Sequence, residues 1–315
     1  MKKKKLFLTS AILLVLSLAL AACGGGKQLT MLTGGTGGTY YPLGGELATI
    51  ISDNTEMEVS ASASNASADN IADLAADEAD IAFTQTDVMA NAVEGINSFK
   101  EPVDNVLAIG SLYPETIQIV TSVDSGITSV EDLAGKKVSV GAPGSGTYVN
   151  AQQILEAHGL DIEADIQAQN LDFDESTGGI QDGNIDAAFI TAGTPTGSVE
   201  GLSATTDITI VPIAQDKIDA LIAEFPYYAA DTITAGTYTG IDEDVTTVAV
   251  LAMLAVTDSL SEDDVYEMTK AIYENTGDIS HAKGKLISKE KALDGIGIDL
   301  HPGAEKYFKE QGLLE

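Results

Sequence analysis

The stretch LTGGTGGTYYPLGGELATII, residues 32–51, carries six glycines where a loop opens onto an apolar helical pattern. Glycines at such a junction let backbone N–H groups approach a ligand closely, and the first N–H groups of a helix have no partner inside it. Upstream, QLTMLTGG reads as a short buried strand; downstream, YYPLGGELATIISD reads as the helix. Next, MEVSASASN alternates like a strand, SADNIADLAADEAD places Ile71, Leu74 and Ala75 at helical spacing, and DIAFTQTD is an apolar strand. This βαβαβ beginning predicts a mostly parallel sheet, because crossovers of that length carry helices.

After the extended run NVLAIGSLYPETIQIVTSVDSG the pattern restarts. SVEDLAG is a short helix, KKVSVGAPGSG a strand into a second glycine loop, TYVNAQQILEAHGL a helix ending near Gly159, and NIDAAFITAG another apolar strand. VTTVAVLAMLAVTD is a second crossing strand, and it feeds SEDDVYEMTKAIYENTG, a helix capped by Ser261 with acids in its first turn. Two similar half-structures joined by long extended segments predict two α/β lobes with a cleft. Ligands of open α/β sheets sit beyond the carboxyl ends of strands, where both glycine loops fall.

The N-terminus reads as an export signal. Lys2 to Lys5 form a basic segment, Leu6 to Leu18 an uncharged apolar one, and small residues lead to LAAC at Leu20 to Cys23. LAAC resembles the bacterial lipobox, in which the cysteine becomes the lipidated N-terminus. The expectation is a leader over 1–22, lipidation at Cys23, and a tether over 23–28 holding the exported protein to the outer face of the cytoplasmic membrane. Cys23 is the single cysteine, which excludes an internal disulfide and a cysteine-ligated metal cluster.

Cleavage before Cys23 leaves 293 residues with 12 lysines against 48 acidic side chains. Such a surface cannot neutralise a phosphate backbone, so nucleic acid is excluded as a partner. All 16 basic residues are lysines; the chain contains no arginine. A bidentate guanidinium clamp is therefore ruled out, and an anionic ligand must be held by lysine, hydroxyls, amides or backbone N–H groups.

GAPGSGT, Gly141 to Thr147, has the glycine spacing of a phosphate loop with Thr147 at the lysine position, which argues against nucleoside triphosphates. Its glycines and the helix start still suit a carboxylate, against the plainer reading of a structural turn with Ser145 as an N-cap. Neither glycine loop carries G-x-G-x-x-G, and no G-x-S-x-G elbow occurs. His158, His281 and His301 stand in unrelated contexts, His158 near a helix end that suits an imidazolium. DFDESTGG from Asp172 imitates a calcium loop for three ligands, then lacks its glycine and its terminal glutamate. No metal, cofactor or catalytic group is expected.

Taken in order, TGGTGGTYYPLGG, ASADN, DIAFTQTD, SLYPE, DLAGKKVSVGAPGSGT, DAAFITAGTP, PYYAADTITAGTYTG and HPGAEKYFKEQG resemble the TAXI family of extracytoplasmic solute receptors. The resemblance runs from about Gln28 to Leu314 and departs at Ala66, where the family usually has glycine. It implies a type II periplasmic-binding-protein fold, with lobe I over 29–122 and 258–315, lobe II over 123–257, and a hinge of two crossing strands. It further implies a monomeric receptor that closes on a small carboxylated solute, glutamate-, glutamine- or dicarboxylate-like, and delivers it to a TRAP-type permease driven by an ion gradient.

The residue reading and the resemblance meet in one expected site. One lobe presents Gly38, Thr39, Tyr40, Ser67, Asn70 and Gln85; the other presents Ser145, Gly146, Thr147, Gly193 and Thr194. Tyr40 or Tyr113 covers the aliphatic part of the solute, and Glu115 either reads an ammonium group or pins the hinge. The alternatives are a receptor for an ABC importer, a sensor, or a hydrolase on the same scaffold.

Overall fold

The computed structural model describes residues 26–315; the expected leader, Cys23 and the first part of the tether lie outside the described residues. The first half-structure is β1 (Lys27–Leu32), α1 (Tyr40–Asn54), β2 (Met57–Ser62), α2 (Ser67–Ala75), β3 (Ile81–Gln85) and α3 (Thr86–Glu94). Lys27 and Gln28, expected in the tether, are already strand: β1 pairs in parallel with β2 from Lys27 onward and with β3 at Met31 and Leu32.

A long strand, β4 (Val106–Ser122), leads into the second half-structure. It comprises β5 (Lys137–Ser139), α4 (Gly146–Ala157), β6 (Gln167–Gln169), α5 (Phe173–Gln181), β7 (Ala187–Ala192), α6 (Gly197–Ser203), β8 (Ile208–Ile210), α7 (Gln215–Glu224) and β9 (Ala229–Ile233). The chain returns through β10 (Val245–Thr257) and ends with α8 (Glu262–Glu274) and α9 (Pro302–Glu310). The strands form one mixed sheet in the order β2-β1-β3-β10-β4-β7-β5-β6, with β8 beside β4 and β9 beside β10.

The two long strands are the frame of the molecule. β10 lies antiparallel to β3 over Ala252–Val256 and to β9 over Val245–Ala249. β4 lies antiparallel to β10 over most of its length, and from Thr116 onward it also pairs with β7. Both strands therefore exchange their lobe I partners for lobe II partners within their lengths, near Pro114–Thr116 and Ala249–Leu251. Pro114 sits opposite Leu251 at that point, next to a break in register. A proline has no N–H for a ladder, so a strand interior accepts it only where pairing is already interrupted.

Each lobe has its own apolar core. In lobe I, Leu43, Leu47 and Ile51 of α1 pack with Phe83, Leu254, Met268, Tyr307 and Phe308. This is how the C-terminal helices return to the first lobe. In lobe II, Ile154 and Leu155 of α4 pack with Ile119, Val138, Phe189 and Leu221.

Local signals act as their chemistry directs. Ser261 accepts a hydrogen bond from the Asp264 N–H at 3.2 Å and caps α8. The ring Nδ1 of His158 lies 2.8 Å from the Ile154 carbonyl at the end of α4. His281 and His301 each accept a backbone N–H at a helix start, from Lys283 and Gly303. Asp172 and Glu175 form a reciprocal capping box at the start of α5, which is what the imitation calcium loop amounts to. No described helix is long and apolar enough to cross a membrane.

Candidate ligand-binding site

The sheet brings both glycine loops to the junction of the lobes, around a cavity of about 100 Å³. Four helices start at its wall: α1 at Tyr40, α2 at Ser67, α4 at Gly146 and α5 at Phe173. Each start carries partial positive charge and N–H groups that point away from the helix body. They differ in one respect. α4 and α5 are capped by the side chains of Ser145 and Asp172, whereas α1 and α2 have no side-chain cap.

Of the expected residues, Gly38, Thr39, Tyr40, Ser67, Gln85, Glu115, Ser145, Gly146 and Thr147 line this cavity. Asn70, Tyr113, Gly193 and Thr194 do not. Asn70 is wholly buried, donating through Nδ2 to the carbonyls of Thr33 at 2.8 Å and Phe83 at 2.7 Å, so it stitches the first loop to β3. Tyr113 is packed in the lobe I core. Gly193 works in the closure: its carbonyl accepts the Thr39 hydroxyl at 3.2 Å and the Thr196 hydroxyl at 2.9 Å. Thr194 is half-buried behind it.

The lobes are shut on each other. Ala68 and Asp69 at the start of α2 donate N–H bonds to the Gly144 carbonyl at 2.9 and 3.3 Å, and Ser198 donates to the Gly37 carbonyl at 3.1 Å. The centre of the closure is Asn150 on α4. Its Nδ2 donates to Asp87 at 2.9 Å and to the Tyr228 hydroxyl at 2.9 Å, while its Oδ1 accepts from Gln85 at 2.8 Å and from Thr191 at 3.1 Å. Every hydrogen-bonding position of that amide is filled, two from each lobe.

At the cavity floor the Tyr40 hydroxyl donates to Glu115 at 2.6 Å. Burial pushes the Glu115 carboxyl well above the usual carboxylate range; the Tyr40 bond opposes this, Asp87 reinforces it, and Lys283 opposes it. Burial likewise pushes Asp87 up to about 6, against the pull of the Asn150 bond, and its Oδ1 is buried without a partner. The cavity wall thus contains carboxyl groups but no lysine or histidine. Among the described residues, no cluster of His, Cys, Asp or Glu is placed to hold a metal ion.

Sequence reasoning missed Ser64, Asn65, Asp172, Phe173 and Thr191 of the wall, and Asn150 and Asp87 of the closure. The available signals were the capping pattern at Asp172 to Glu175 and an asparagine on the apolar face of TYVNAQQIL. Neither indicates a ligand until the lobes are folded together.

Residues 31–312 match the NMT1-like family. The chain belongs to that family. The solved structures it is similar to include a protein of Bordetella bronchiseptica RB50, at 17% identity and a TM-score of 0.56, with 91% of this chain and 89% of that one covered. Another is PhnD1 of Prochlorococcus marinus in complex with methylphosphonate, at 11% identity and a TM-score of 0.55, with 91% and 99% covered. A third, described as a periplasmic transporter, has 14% identity and a TM-score of 0.55, with 90% and 92% covered. At these identities the likeness is one of fold. This NMT1-like chain has the two-lobed α/β periplasmic-binding-protein fold.

Proposed function

We propose that this NMT1-like protein is an extracytoplasmic solute receptor that captures a small carboxylated solute, glutamate-, glutamine- or dicarboxylate-like, between its lobes. The observation that carries the reading is the convergence of four helix starts, two of them without a side-chain cap, on one cavity at the lobe junction. A carboxylate taken from water into such a place must be fully hydrogen-bonded. In a chain without arginine, the first N–H groups of α1 and the hydroxyl of Thr147 are the donors that meet that need. Charge-assisted bonds of this kind contribute about 1.5–3 kcal/mol each.

Release goes to a TRAP-type permease driven by an ion gradient, with the receptor a monomer held to the membrane through lipid on Cys23. This rests on the sequence resemblance alone. Delivery to an ABC importer is the second reading. A fused multi-span permease gene beside this one supports the first; a neighbouring ATPase gene supports the second. No role as a hydrolase is proposed, since all three histidines are engaged with backbone groups away from the cavity.

The direct test is a thermal-shift screen of the purified protein against amino acids, organic acids and phosphonates. The expected result is stabilisation by at least one carboxylated compound. Stabilisation only by methylphosphonate or by nucleotides would overturn the carboxylate reading.

A further inference from the structure

The cavity has an imbalance of charge. Its wall carries two carboxyl groups, Glu115 and Asp172, and no cationic side chain. Asp172 spends its carboxylate on the α5 capping box, accepting the Glu175 N–H at 2.7 Å. Glu115 is 2% exposed, and the one hydrogen bond recorded to it comes from the Tyr40 hydroxyl.

The groups around Glu115 give its ionised form little support. From α1 it meets Tyr40, whose own ionisation is suppressed by burial. From its own strand it meets Tyr113, likewise neutral, and from α3 it feels the like charge of Asp87. From the turn Ala282–Leu286 it feels Lys283, the one cation that acts on it. Lys283 is itself held down by burial, and it is drawn more strongly to Asp231 of β9 than to Glu115. Asp231 is in turn tied to the next residue of β4, accepting the Thr116 hydroxyl at 2.7 Å. A carboxylate so placed lacks a counter-ion.

We propose that Glu115 determines specificity by holding a proton in the empty cavity and giving it up to solvent when the solute brings its own ammonium group. The preferred ligand is then a carboxylate that also carries a cation, and each binding event releases one proton. The proposal rests on the receptor reading above and narrows it. The solute carboxylate faces the helix starts, its ammonium faces the Glu115 carboxylate left behind, and the cavity gains no net charge. A dicarboxylate dianion offers Glu115 no cation, leaves its proton in place and brings a second negative charge past Asp87. The balance is simple: the Glu115 O–H bond breaks, its electron pair stays on the carboxylate, and the proton goes to water or buffer.

The test is calorimetric titration of the purified protein with L-glutamine and γ-aminobutyrate, and with glutarate and succinate, in phosphate and in Tris at pH 7. An ammonium-bearing carboxylate should bind with heats that differ between the buffers by the ionisation heat of one proton. Its affinity should rise with pH, by at most tenfold per unit, over the range in which the free state holds the proton and the bound state does not. Glutarate and succinate should release none and bind at least tenfold more weakly. Glu115→Gln should abolish both the proton release and the pH slope, and bring glutarate level with L-glutamine or ahead of it. Binding of an ammonium-bearing carboxylate with no proton exchange, a wild-type preference for glutarate, or undiminished release in Glu115→Gln would overturn the proposal while the receptor reading stands. Should Glu115→Gln not fold, the wild-type proton count decides alone. If no carboxylate binds at all, the receptor reading falls and takes this proposal with it.

Discussion

The two glycine loops, residues 34–38 and 141–146, face opposite lobes across the closed cleft and solve that problem differently. In the first loop none of the glycines has positive φ, and what they supply is room: a Cβ on Gly38 would lie 3.3 Å from the Phe173 ring, and one on Gly37 would meet the Asp174 carboxylate. In the second loop, Gly141 and Gly144 have φ of 93° and 75°, so glycine there serves conformation, while Gly146 serves proximity, its Cβ position overlapping the Gln85 amide. The helices that follow diverge too. α1 starts uncapped and anchors one side chain, Tyr40, on Glu115; α4 starts capped by Ser145 and plants Asn150 in a four-bond junction. The first loop opens onto a helix start that no side chain caps, and the second lends the Gly144 carbonyl to the Ala68 and Asp69 N–H groups of the other lobe.

Removing Asn150 is the severest way to probe that contrast. Asn150→Ala strips a partner from Asp87 and Gln85 of lobe I and from Tyr228 and Thr191 of lobe II. Each buried group left unpaired costs about 1–3 kcal/mol. Urea unfolding should show a loss of stability on the order of 3–5 kcal/mol. Tyr40→Phe, which removes one bond on the α1 side, should cost about 1 kcal/mol. An equal cost for the two variants would erase the distinction between a solute-facing and a closure-bearing side.

Gly146→Ala is next, and its sign is informative. In an ordinary helix the change would stabilise, because alanine is the better helix former. Here the new methyl must push the Gln85 amide off Asn150. Solute affinity should fall about 10- to 100-fold, corresponding to one buried hydrogen bond lost with its partners exposed to each other. Adding Gln85→Ala should recover part of that loss, as isothermal titration would show; no recovery would mean that the clash lies elsewhere.

Asp87 sharpens the comparison through pH. Its carboxyl titrates near 6 in the folded protein against an ordinary value of 3.8. Between those values the folded state holds more protons than the unfolded one, so stability falls as pH rises and the loss is complete above about pH 6. Asp87→Asn should remove a fall on the order of 2 kcal/mol from the stability profile between pH 4 and 7. If the wild-type and variant profiles run parallel across that window, Asp87 is not a strained charge in the junction.

How far the chain could be read in advance follows the same division. Strand, glycine loop and helix were legible at residues 28–54 because apolar spacing and glycine position are local properties, and so were the Ser261 cap and the parallel β1-β2-β3 start. Thr39, Ser67, Gln85, Ser145 and Thr147, which line the cavity, were named where the residue reading and the family resemblance met. Phe173 and Asn150 were not, because their meaning comes from the far lobe: Asn150 pairs with Gln85, 65 positions away in the chain, and Phe173 packs beside Gly38. The point where β4 and β10 pass from lobe I partners to lobe II partners carries little local mark: β10 is a nearly continuous apolar run, and β4 shows only Pro114 and Glu115 there.

The smallest expected effect is at Ala66, and it isolates backbone from side chain. Ala66 stands just before the uncapped α2 with φ 73° and ψ −149°, a conformation that glycine adopts freely and an L side chain does not. Its neighbours hold it there: its N–H donates to the Ser64 hydroxyl at 3.1 Å, and its carbonyl accepts the Asn70 N–H at 2.9 Å. Such strain costs about 1–3 kcal/mol, and replacing alanine by glycine returns about 0.4–1 kcal/mol to the unfolded chain as entropy. Ala66→Gly should therefore stabilise the protein by about 1 kcal/mol and raise Tm by about 2–4 °C. The methyl group lines the cavity without offering a hydrogen bond, so solute affinity should change less than about threefold. A fall in Tm would mean that the α2 start carries no strain and that Ser64 and Asn70 are not what hold the loop. A tenfold change in affinity would make the Ala66 methyl a contact surface for the solute, adding side-chain packing to a lobe I wall otherwise argued from its backbone.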